Sequence, residues 1–90
     1  MPEFFESIDF ELATAIEELA RLSYELRENR NAILAAHDVA DEAALLARIE
    51  AGEADEHPTY EYYLAARILA DTRDAARAAL AESLQEANRT

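Results

Sequence analysis

Ninety residues with 51% hydrophobic content, one glycine, two prolines and no cysteine exclude a disordered chain, a disulfide scaffold and any cysteine-ligated metal site. The net charge is −12 and all eight basic residues are arginine, which argues against nucleic acid and against an anionic membrane as partners. No apolar run approaches the ~20 residues of a membrane span. The amino terminus lacks a basic stretch followed by an apolar one, so a cytoplasmic location is the expectation.

Alanine, leucine, glutamate and arginine dominate, and all four are good helix formers. Aromatic and β-branched residues are too sparse for a sheet. The fold class is therefore all-α, with one domain over 1–90. The 21 alanines outnumber the 11 leucines, so each buried position contributes little apolar area. A chain this short with so lean a core gains from pairing with a second copy.

The first helix is expected at about 8–36. Phe5, Leu12, Leu19, Leu26 and Ile33 recur every seven residues, with Ile8, Ala15 and Leu22 as companions. That is a coiled-coil-like seam. Asn29 continues the companion series, where a polar residue can fix register. Ser7 or Asp9 is the expected cap.

A break follows at His37-Asp38. Asp38 is the expected N-cap of a short helix at about 39–51, with Asp41 and Glu42 in its first turn. Val39, Leu45, Leu46 and Ile49 supply its apolar face. Gly52 stands where a left-handed residue ends a helix.

Residues 52–57 read as a polar loop, and Pro58 suits the first turn of a third helix at about 58–87. Tyr60, Leu64, Ile68, Ala75 and Ala79 run down one side of it. Tyr62, Leu69, Ala76 and Leu80 run down the neighbouring side. Two long helices joined by a short one predict an antiparallel hairpin. Two such hairpins would pair as a homodimeric four-helix bundle.

Charge is unevenly placed. Residues 1–37 carry net −5, residues 38–57 carry −6 and residues 58–90 carry −1. Half of the net charge thus falls in the short middle segment. Asp38, Asp41, Glu53, Asp55 and Glu56 crowd the turn of the hairpin. Tyr60, Tyr62 and Tyr63 follow directly. Successive helical residues point ~100° apart, so three tyrosines in four positions cannot all face one core. Exposed tyrosine beside charge is a common interface composition. These eight residues are the expected partner-binding surface.

A second constellation could hold a divalent metal. His37 ends the first long helix and His57 begins the last, so an antiparallel hairpin brings the two ends together. Asp41 and Glu61 stand four residues beyond them. Imidazole with carboxylate is a plausible donor set for a divalent cation. Carboxylate pairs also occur as Glu25-x-x-Glu28 and Asp71-x-x-Asp74. The pairs resemble those with which all-α nucleotide pyrophosphohydrolases of the MazG type hold magnesium on adjacent helices. The leading Glu-Glu-x-x-Glu of that family reads Glu17-Glu18-x-x-Arg21 here. The long-short-long layout, with the stretch IEELARLSYELRENR, also resembles the AroQ chorismate mutases. That family binds a dianion with arginines and a lysine, whereas this chain has no lysine and only Arg48 in its middle segment.

The expectation is a non-enzymatic, acidic helical interaction module that pairs with itself and presents its acidic tip to a basic protein. One version is an inhibitor or nucleic-acid mimic, with carboxylates standing where phosphates would be. The alternative is a metal-binding helical bundle or a magnesium-dependent hydrolase of the pyrophosphohydrolase kind.

Overall fold

The computed structural model describes residues 10–89. Three helices follow one another: α1 (Phe10–Ala36), α2 (Glu42–Glu50) and α3 (Glu56–Asn88). Helices α1 and α3 pack lengthwise against each other, and α2 packs on α3. No strand occurs among the described residues. The molecule is a rod of 59 × 17 × 17 Å. Its radius of gyration is 18.2 Å. A compact 90-residue domain would have about 12 Å. The all-α antiparallel hairpin expected from composition and spacing is therefore the fold. Phe5, Ile8 and the caps Ser7 and Asp9 lie outside the described residues.

The seam is turned relative to the expected one. Leu12, Leu19, Leu26 and Ile33 do face inward, half-buried. Their companions are Ile16, Ser23, Arg30 and His37, four residues ahead, all at least half-buried. Leu22 is 40% exposed and Asn29 is exposed, so Asn29 sets no register within the hairpin. Positions three and four residues along a helix flank the same stripe on opposite sides. Leucine at 22 made the one side look better than it is. The side holding Arg30 and His37 is where their polar heads find partners.

The junction also differs. Helix α2 begins at Glu42, not at 39, and Asp41 is its N-cap: the carboxylate accepts the Ala44 amide at 2.8 Å. Asp38 instead closes α1. It adopts φ 60, its amide donates to Ala35 O at 3.1 Å, and the Val39 amide donates to Leu34 O at 3.1 Å. This is a Schellman motif with aspartate at the left-handed position, a residue that tolerates it better than most. Gly52 fills the same place after α2 as expected, at φ 76, with Gly52 N donating to Ile49 O and Glu53 N to Arg48 O. His57 is extended (φ −113, ψ 131), as a residue before proline prefers, and regular helix runs on from Pro58.

The core is thin. Among the described residues the buried apolar ones are Leu34, Leu45, Tyr63, Ala66, Ala76 and Ala87, half of them alanine. Alanine lets the two long backbones approach closely but contributes little transfer energy. Arg73 stands half-buried on the face of α3 that meets α1, and its Nε is buried without a partner among the described residues. Among those residues no helix is long and apolar enough to cross a membrane.

Candidate functional site

The tip of the rod is built by α2 folding back beside the ends of α1 and α3. Two arginines hold it there. Arg30 on α1 donates through Nε and one terminal nitrogen to the Glu42 carboxylate at 2.5 and 2.6 Å. This two-pronged, partly buried pair holds Glu42 below the usual carboxylate range, chiefly through the hydrogen bonds from Arg30. Arg30 is raised in turn. Arg48 on α2 donates to His37 O at 2.8 Å, satisfying a carbonyl at the end of α1. Its Nε lies 3.8 Å from Glu53.

Both arginines are thus occupied with holding the fold. Glu42 is consumed by Arg30 and Asp41 by its capping bond. Asp38, Glu50, Asp55 and Glu56 are exposed, and no cation stands within salt-bridge distance of them among the described residues. Asp41 and Glu53 are exposed as well. All five acidic residues expected to face a partner therefore lie at the surface of one end. Of the tyrosines, Tyr60 and Tyr62 are exposed and Tyr63 is buried. Tyr60 stacks on Tyr63 at 5.7 Å, and Tyr63 receives Arg67 over its ring. Tyr63 is therefore a support for Tyr60 rather than part of the accessible surface.

The two histidines lie at this same end and have separate surroundings. His37 Nδ1 donates to Ile33 O at 2.9 Å, which leaves Nε2 as the unprotonated nitrogen of the neutral ring. Its ring tilts against Tyr62 at 5.2 Å. His57 Nδ1 is 2.7 Å from Glu61 Oε1, both at the surface. Asp41 is turned to its cap. Among the described residues no group of three or more His, Asp or Glu side chains is arranged to hold a metal ion. The Glu25/Glu28 and Asp71/Asp74 pairs are exposed and form no such group either.

Two shallow clefts flank His37. One, of ≈ 300 Å³, is lined by Ala36, Asp38, Leu45, Arg48 and Ala54 beside the histidine. The other, of ≈ 370 Å³, lies among Ala32, Ile33, Ala36 and Tyr62. Both lie at the lower end of the volumes of small-molecule pockets and are open to solvent. They give relief to the surface around Tyr62 and His37.

The two arginines that assemble the tip carry no simple sequence signal. Arg30 stands in the heptad series 16, 23, 30, 37, and a cation at a seam position asks for an inward partner. Arg48, the lone cation among seven acids, reads as a surface charge until the Asp38 turn brings it under the end of α1.

Fold and site together define a small all-α protein: an antiparallel helical hairpin with an acidic, tyrosine-bearing tip. The chain belongs to the Uncharacterized protein MJ0235 family, whose model it matches over residues 11–88. No curated protein and no solved structure matches it.

Proposed function

We propose that the protein is a non-enzymatic interaction module whose acidic tip receives a basic protein surface. One observation carries the reading: the arginines of the tip are engaged with Glu42 and with His37 O, so Asp38, Asp55 and Glu56 are left uncompensated and Glu53 has only the more distant Arg48 Nε at 3.8 Å. Carboxylates on a helical end, braced by the partly buried Arg30–Glu42 pair, attract a cationic surface and speed its encounter. Tyr60 and Tyr62 beside them supply rigid contact area. A partner arginine or lysine has a carboxylate rim and aromatic faces within reach. Carboxylates in this arrangement also suit the inhibitor or mimic version, in which the basic partner is one that otherwise binds phosphate.

The test compares two sets of neutralised chains against an arginine-rich peptide at 0.15 M salt, where the Debye length is about 8 Å. One set changes the tip: Asp38→Asn, Glu53→Gln, Asp55→Asn and Glu56→Gln together. The other removes the same charge from α1: Glu17→Gln, Glu18→Gln, Glu25→Gln and Glu28→Gln. The tip set should weaken binding at least tenfold more than the α1 set. Equal losses would show that only the overall charge matters, and the tip would not be a site.

A further inference from the structure

The hairpin leaves one apolar strip unused. Tyr60, Leu64, Ile68, Ala75 and Ala78 follow at spacings of three, four and seven on α3, and all are exposed. Ile68 is 64% exposed and Leu64 39%. They lie on the side of α3 away from its buried residues Tyr63, Ala66 and Ala76. Within the strip stand two charges, Arg67 and Asp71, also exposed and one turn apart. Asp71 acts on Arg67 electrostatically, but no ion pair within 4 Å joins them.

We infer that this strip is the seat of a second copy of the chain, with the two α3 helices antiparallel and crossing near residue 69. Three observations favour that occupant. The first is charge. Residues 58–90 carry net −1 while the rest of the chain carries −11, so α3 is the part on which two copies meet with least repulsion. The second is self-complementarity. A two-fold axis between Arg67 and Asp71 sets each arginine opposite the partner copy's aspartate, twice over. Parallel pairing would set like charges together. Antiparallel pairing also parts the two acidic tips by roughly 35 Å along the rod, at 1.5 Å per residue, well beyond screening range. The third is area. From Tyr60 to Ala78 the strip is about 27 Å long at 1.5 Å per residue, and pairing it with itself covers on the order of 1,000 Å² in total, the lower end for a specific interface. The dimer is therefore reversible and concentration-dependent. This pairing places the dimer contact on α3; it shares Tyr60 at its end with the tip surface but none of the tip carboxylates, so it stands apart from what those carboxylates bind.

Sedimentation over micromolar to millimolar concentrations should show reversible conversion to twice the 10.1 kDa monomer mass. Arg67→Asp should weaken association tenfold or more, and Arg67→Asp with Asp71→Arg should restore it, because the swapped charges again face opposites. Helical circular dichroism checks that each variant is folded. The chain has no cysteine, so single thiols report orientation cleanly. Ile68→Cys should cross-link to its own copy, and Ala75→Cys, roughly 18 Å from its copy along the axis, should not. A monomer throughout, or Ala75→Cys cross-linking as readily as Ile68→Cys, overturns the inference. The tip-neutralised chain should dimerise as the wild type does, so failure here is separate from failure of the tip reading.

Discussion

Arg30 and Glu42, twelve residues apart in the chain, form a two-pronged ion pair at 2.5 and 2.6 Å that fastens α2 to α1. Both side chains are largely covered, with 26% and 16% of their surface exposed. Removing one partner leaves the other charge half-buried and alone. Arg30→Ala or Glu42→Gln should each cost about 1–3 kcal/mol of stability in urea. Arg30→Met with Glu42→Leu should cost less than either single change, because no orphan charge remains. If the double variant loses the sum of the singles, the pair is not coupled.

The same pair sets an acid limb. Glu42 titrates below its unfolded value of about 4.3, so its contribution is fully present above that pH and is lost as pH falls through the lower folded value. Unfolding free energy measured from pH 6 to pH 2 should fall, and Glu42→Gln should flatten part of that fall. An unchanged slope in the variant would remove Glu42 from the account.

Asp38 holds φ 60 at the end of α1, a conformation that costs a side-chain-bearing residue energy and glycine little. Asp38→Gly should therefore stabilise the chain by about 0.5–1 kcal/mol. The contrasting change is Gly52→Ala. A methyl there meets nothing within 4 Å, so its cost of about 1 kcal/mol would come from φ 76 alone. Opposite signs in chemical denaturation are the expected result, and equal signs contradict it.

Arg73 buries its Nε at the helix interface without a partner among the described residues. Arg73→Met keeps most of the apolar stem and removes the orphan donor. It should raise stability by about 1 kcal/mol. A clear loss would show that the guanidinium has a partner in solution.

Among the described residues Leu45 is the largest fully buried side chain, at 1% exposure, while Leu22 points outward. Leu45→Ala should cost about 2–5 kcal/mol and release α2 from the hairpin. Leu22→Ala should be nearly neutral. Comparable losses would mean that the inward seam runs through Leu22 after all.

Much of the fold could be read from the chain because helices announce themselves by period. The heptad of Leu12, Leu19, Leu26 and Ile33 located α1 and its inward stripe. Pro58 and Gly52 marked the ends of their elements through conformations that few other residues share. The junction was less legible. Asp38 is a good N-cap in general, and nothing local separates that role from a left-handed stop. The decision came from tertiary contacts: Arg48 reaching His37 O and Arg30 reaching Glu42 place α2 where only a reversal at Asp38 can put it. The companion stripe failed for a similar reason, since Ile16, Ser23, Arg30 and His37 look mixed in polarity and become intelligible only once their partners are known. The clustering of acid at the tip was visible in the sequence. That its two arginines point inward was not.

The proposed tip site is tested by where a basic partner lands. The most direct measurement is a ¹⁵N chemical-shift titration of the intact chain with an arginine-rich peptide. If the tip is the site, shifts are confined to residues 37–41 and 53–62, with Tyr60 and Tyr62 among the largest. Shifts spread along the exposed acids of α1, or none at saturating peptide, would contradict it.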